Sequence, residues 1–276
     1  LVGNILLGFA QTECAVSDYW TNMVTKWFPK HEIRQMAMMF GSQETIHAVA
    51  YSYLNETLGL EDFAAFLHEP SMADKFDFLM STNADYTHED LLANVKDSRK
   101  EVARSLAIFS AFAEGVSLYS SFAVLYSFQM RNLLKGIGQQ MKWSVRDESL
   151  HSKMGCRLFN HMCDEDKELR DSVKDSIYEA AKLIVDMEHN YIDKIFEMGD
   201  LENLTAYDLK NFIYRRTNEK LKELGLEAIF EYDEKSADNL DWFYHLTGGH
   251  THTDFFAIRP TDYAKAGEDD NWDDIW

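Results

Sequence analysis

Residues 44–47 read ETIH and residues 148–151 read ESLH, and these two tetrapeptides decide how the chain folds around its chemistry. They are the only places where a glutamate is followed three residues later by a histidine. Positions three apart share one face of a helix, so each pair can present a carboxylate and an imidazole to a single point. Upstream of each pair stands another glutamate in apolar surroundings: Glu13 in FAQTECAV, 31 residues before Glu44, and Glu114 in AFAEGVSLY, 34 residues before Glu148. A carboxylate embedded in an apolar helix is costly unless a counter-charge meets it. One ExxH on a helix is ordinarily a solvated charge pair, but the unit of apolar-flanked glutamate followed by ExxH occurs twice.

Around these units apolar residues recur every three or four positions. Val16, Trp20, Met23, Val24, Trp27 and Phe28 form one such run, closed by Pro29. The same periodicity predicts helices over about 32–58, 62–67, 71–80, 88–134, 139–161, 165–198 and 205–224, with Gly59, Gly136 and Gly138, Gly199 and Gly225 as stops. Proline occurs only at 29, 70 and 260, so 189 consecutive residues carry nothing that forbids a helix interior. No alternating strand pattern is present. Residues 105–128, SLAIFSAFAEGVSLYSSFAVLYSF, are apolar on every face, which places them at the centre of a bundle. The stretch 226–260 is mixed and punctuated by glycine, and PTDYAKAGEDDNWDDIW reads as an acidic tail.

Composition narrows the function. The chain has 276 residues, 46% of them apolar, enough for a sizeable core, and a formal net charge of −20, the wrong sign for gripping nucleic acid. Cys14, Cys156 and Cys163 are odd in number and form no CxxC, which points to a reducing, cytoplasmic compartment without a disulfide framework. No uncharged run is long enough to span a membrane. The apolar opening LVGNILLGFA begins in mid-pattern and reads as a segment whose upstream neighbours lie outside the sequence.

Four inward glutamates and two histidines need about four units of positive charge, which two divalent cations supply. That ligand set, one glutamate from each of two helices and ExxH from each of two others, defines an all-α, ferritin-like bundle with a dinuclear metal site in its four-helix core. Oxygen-rich ligation suits iron or manganese better than zinc or copper, and redox chemistry with oxygen follows.

At this level of detail FAQTE, ETIHAVAY, EGVSLYSSF, RDESLH and RRTNEKLKELGL, read together, resemble the small, radical-generating subunit of class I ribonucleotide reductase. The resemblance implies Glu13, Glu44, His47, Glu114, Glu148 and His151 as ligands of two metal ions, di-iron first, with manganese–iron or dimanganese as alternatives. It implies Tyr51 as the oxidisable tyrosine, Asp147 as the acceptor that orients a ligand histidine, here His47, and Tyr263 as the relay to a large catalytic subunit that reduces ribonucleoside di- or triphosphates. It also implies a homodimer. Tyr51 fits on spacing as well: seven residues after Glu44 and four after His47, it shares their helix face. Phe112, Leu118, Phe122 and Ile46 are expected to line its pocket.

Residues 1–260 are expected to form the metal-binding domain, and 261–276 a flexible tail in which Trp272, Ile275 and Trp276 among aspartates dock the large subunit. Glu13 stands where many members of that family have aspartate, similar to subgroups that use manganese, and Leu118 where some have phenylalanine. His250 and His252 lack acidic or cysteine partners and read as loop residues. The alternative within the fold is a dinuclear oxidase or monooxygenase acting on an apolar substrate, and outside enzymes, iron storage or a helical scaffold.

Overall fold

The computed structural model describes residues 2–59 and 70–247. The expected helix over 62–67, His250, His252, Tyr263 and the acidic tail lie outside the described residues.

Among the described residues every regular element is a helix, and the one β contact is an isolated bridge between Leu201 and Leu204. The first helix, α1 (Val2–Asp18), runs without a break through a π turn (Tyr19–Val24) into a last short turn, α2 (Thr25–Trp27). Phe28 then turns extended ahead of Pro29. The helix α3 (His31–Thr57) packs along α1 and buries Phe40, Glu44, His47 and Tyr51 on one face, at the seven-residue spacings read from the sequence. It ends before Gly59, whose φ of 65° favours glycine.

After α4 (Pro70–Met80), the expected continuous helix over 88–134 is broken twice. The short α5 (His88–Ala93) opens on a capping box in which Thr87 and Asp90 satisfy each other's backbone N–H groups. Left-handed residues Asn94, Lys96 and Asp97 then turn the chain into α6 (Ser98–Ile108). A second π turn (Phe109–Ala113) and the irregular stretch carrying Glu114 separate α6 from α7 (Tyr119–Met130). These segments are buried on all sides, as the sequence predicted, and form the middle of the bundle.

The long helix α8 (Lys135–Glu165) carries Glu148 and His151. Gly136 and Gly138 do not stop a helix, as the pattern suggested. They lie in its first turn, because a Cβ on Gly138 would fall 2.1 Å from Oε1 of Gln129 and only glycine admits that approach. The fold is completed by α9 (Leu169–Ile195) and α10 (Ala206–Glu223), with α11 (Glu234–Asp238) and α12 (Asp241–Thr247) as short elements in the stretch read as mixed. One continuous apolar core runs through the bundle, and Cys156 and Cys163 are buried in it as free thiols.

Candidate metal centre

The two repeats converge. Glu13 from α1, Glu44 and His47 from α3, Glu114 from the stretch after the second π turn, and Glu148 and His151 from α8 meet in the interior, each at most 2% exposed. They form two overlapping groups whose candidate ligand atoms lie within 4.8 Å of one another: Glu13, Glu44, His47 and Glu148 in one, Glu44, Glu114, Glu148 and His151 in the other. Glu44 and Glu148 belong to both, as ligands shared by two ions would.

Both imidazoles are oriented alike. His47 Nδ1 faces Glu44 at 3.0 Å and Glu148 at 3.2 Å, while its Nε2–H donates outward to Asp147 Oδ2 at 3.1 Å. His151 Nδ1 lies 2.6 Å from Glu44 and 3.6 Å from Glu114, while its Nε2–H donates to Gln43 Oε1 at 2.9 Å. Outer acceptors of this kind fix the tautomer that leaves Nδ1 free to ligate. Asp147 thus stands where the sequence reading put it. Gln43, next to Glu44, was not singled out, although adjacency to a ligand was a usable signal.

Electrostatics explain what holds the group together without an ion. Burial, reinforced by the charge of Glu44, raises Glu13 and Glu148 well above the usual carboxylate range. Burial also pushes Glu44 upward, but His151 and His47 outweigh it and hold it down at about 2. Both histidines are raised despite burial, His47 by Asp147, Glu148 and Glu44, His151 by Glu114 and Glu44. Glu13, Glu148, His47 and His151 therefore hold their protons more tightly than free side chains do, in the place that divalent cations would take. Seven buried atoms here make no well-aligned hydrogen bond, even where they face one another as Nδ1 of His151 and Oε1 of Glu44 do at 2.6 Å: both oxygens of Glu13 and of Glu148, Oε1 of Glu44, Oε2 of Glu114 and Nδ1 of His151. Orphaned donor sets of this composition fit a pair of hard cations.

Tyr51 is fully buried, 6.2 Å from the His47 ring, and its hydroxyl donates to Ser144 Oγ at 2.7 Å. Burial raises its pKa well above 10, so the phenol is neutral. Of the expected pocket residues, Phe112 and Phe122 are buried in the same core, with Leu118 partly buried against it, and Phe122 reaches the Tyr51 side through Phe9 at 5.1 Å, but Ile46 is not buried. At 62% exposure Ile46 points to solvent, because two residues from Glu44 is about 200° around the helix. Phe9 takes that role, 4.8 Å from the Tyr51 ring. A cavity of about 30 Å³ borders Glu114 between Phe9, Leu118 and Lys75, far below the size of a pocket for an organic substrate.

On the opposite side, Trp20 Nε1–H donates to Glu114 Oε1 at 2.5 Å. The sequence signal was its position seven residues after Glu13, on the same helix face. No described helix is long and apolar enough to cross a membrane.

Fold and site together define a ferritin-like carboxylate–histidine protein. Residues 1–237 match the family model described as ribonucleotide reductase, small chain. The chain is 35% identical over 254 residues to a protein named "Probable ribonucleoside-diphosphate reductase small subunit" from Invertebrate iridescent virus 3, covering 89% of this chain and 67% of that one. The fold is similar to that of Streptococcus sanguinis dimanganese(II)-NrdF (TM-score 0.66, 20% identity, 87% and 80% coverage). It is also similar to an R2-like ligand-binding oxidase with a Mn/Fe cofactor (TM-score 0.59, 18% identity, 82% and 80% coverage). The chain belongs to the ribonucleotide reductase small chain family.

Proposed function

We propose that this chain binds two metal ions through Glu13, Glu44, His47, Glu114, Glu148 and His151, and that an oxidising equivalent generated there serves a large subunit that reduces ribonucleoside di- or triphosphates. The observation that carries the reading is the set of seven orphaned, buried ligand atoms on two repeated helical units. When bound, the ions supply one-electron oxidation driven by oxygen or a reduced oxygen species. The chain's own residues direct it. Gln43 and Asp147 orient the imidazoles, and Phe9, packed on Tyr51 and backed by Phe122, keeps water from the phenol. The neutral Tyr51 phenol must release its proton as it gives up an electron, and its hydrogen bond to Ser144 Oγ sets the direction of departure.

Di-iron is the first expectation for the metal pair. Glutamate at position 13 keeps manganese–iron and dimanganese as outcomes to be counted. The equivalent would leave along His47, Asp147 and Tyr263. Residues 1–260 act as the metal domain, and 261–276 as the docking tail, anchored by Trp272, Ile275 and Trp276, in a cytoplasmic enzyme. A homodimer is supported by the solvent face of α3, where Met39, Ile46, Val49 and Tyr53 are each more than 60% exposed at helical spacing. The small cavity at Glu114 speaks against a bulky oxidase substrate.

Metal analysis with electron paramagnetic resonance after oxygen activation tests the proposal on wild type and Tyr51→Phe. Two ions per chain and a tyrosyl signal lost in the variant are expected. A chain that takes up no metal overturns the function, and a metal-centred signal indifferent to the substitution moves the oxidant off Tyr51.

A further inference from the structure

Trp20 does more than cap Glu114. Its ring lies 6.1 Å from that of Tyr19, edge to face, and Tyr19 lies 5.7 Å from Trp27 in the same manner. Phe109 stacks on Tyr19 at 3.5 Å and closes the space between them. All three ring systems are at most 2% exposed, so they form an unbroken, water-free line of the most readily oxidised side chains. Its inner end is hydrogen-bonded to Glu114, and Trp20 also meets the His151 ring at 6.2 Å. The first π turn holds this line together, because Tyr19 and Trp20 both sit within it.

The outer end, Trp27, forms part of the wall of an open cleft of about 380 Å³, a volume suited to one heterocyclic molecule. Its lining is apolar at Phe28, Ile33 and Leu91 and carries two cationic side chains, Lys30 and Arg99, against one carboxylate, Glu165, which His161 faces at 3.6 Å. Neither Lys30 nor Arg99 forms an ion pair among the described residues, in a chain whose net charge is −20. Such a local positive rim around an aromatic floor selects a flat anion.

We propose that this cleft binds a planar aromatic anion able to give up one electron, and that Trp27, Tyr19 and Trp20 conduct the electron to the metal pair. The inference rests on the metal-binding reading above. The donor, of the hydroquinone class, loses one electron and one proton, the proton passing to solvent. The oxidised metal pair gains the electron, and the three aromatic residues return to their starting state. This entry lies on the side of the centre away from His47 and Asp147, so reduction of the centre and export of its oxidising equivalent use different paths.

Anthrahydroquinone-2,6-disulfonate, planar and anionic, is the probe, with reduced methyl viologen as a planar cationic control. Anaerobic mixing with the oxidised, metal-loaded protein follows loss of the oxidised metal signal. Trp27→Phe is expected to slow that step about tenfold or more at unchanged metal content. The double charge reversal Lys30→Glu with Arg99→Glu is expected to raise the half-saturating probe concentration about fivefold, leave the limiting rate alone and not slow methyl viologen. An unchanged rate in Trp27→Phe, or an unchanged half-saturation in the charge-reversed protein, overturns the proposal. Binding of oxidised anthraquinone-2,6-disulfonate to the metal-free protein, measured by calorimetry, separates the two readings. Binding without any metal uptake overturns the proposed function, whereas metal uptake without binding overturns the cleft alone.

Discussion

Two clusters of buried carboxylate stand in this bundle, and they are built in opposite ways. Glu188 on α9 is fully buried and raised in pKa by that burial, but it has its own counter-ion. Lys75 from α4 forms an ion pair with it, Ser120 donates to it at 2.5 Å, and Lys75 itself rests over the Tyr191 ring at 4.0 Å. Glu13, Glu44, Glu114 and Glu148 are buried as deeply, yet among the described residues no lysine or arginine forms an ion pair with them, and the basic groups that face this cluster are the inner nitrogens of two histidines. The first cluster is closed by the chain itself. The second is closed only by something the chain must acquire, and this difference separates a structural ion pair from a binding site.

Removing the counter-ion from the first cluster should have the largest effect. Lys75→Met leaves Glu188 buried and unpaired and is expected to cost about 3–5 kcal/mol in denaturant unfolding, whereas Lys75→Met combined with Glu188→Gln recovers much of it. A single variant that unfolds like wild type would break the comparison.

Next in size is the response of the second cluster to pH. Glu13 and Glu148 have raised folded-state values, so the stability they contribute is complete below the ordinary carboxyl range and is lost as pH rises through those raised values. The metal-free protein should therefore weaken with rising pH while metal affinity increases, by about tenfold per unit or more, as uptake of the ions displaces protons. Proton release on adding Mn(II) or Fe(II) in weakly buffered solution measures this, and uptake without release would refute the protonated picture.

The smallest effect sharpens the contrast. Glu148→Gln puts a neutral amide of the same shape where burial already favours the neutral carboxyl, so the metal-free variant should stay within about 1 kcal/mol of wild type or exceed it, while its metal content falls below two ions per chain.

The sequence revealed these regions unequally. The six candidate ligands, Tyr51 and Asp147 could be read because ExxH spacing is a property of one helix, and because a glutamate among apolar neighbours announces itself. Lys75 with Glu188 was silent, since the two lie 113 positions apart and each alone resembles a surface charge. Ile46 was misread because proximity in sequence was taken for proximity on a face. The breaks within 88–134 were missed because Asn94, Lys96 and Asp97 reach left-handed geometry without glycine or proline to mark it, and Gly138 misled in the other direction, serving a close approach inside a helix. Ser144 needed the three-dimensional crossing of helices that spacing along one helix does not report.

The two π turns, Tyr19–Val24 and Phe109–Ala113, have a consequence for how the chain tolerates change in length. Each amounts to one surplus residue absorbed within a helix, so everything beyond it is rotated by about 100° relative to an uninterrupted helix. Deleting any one residue from Phe109–Ala113 would leave a sound, equally apolar helix, yet it would swing Glu114 away from His151 and Trp20. Glu114 reaches the centre by a count of residues, and at that point a deletion is expected to harm the site more than many substitutions would.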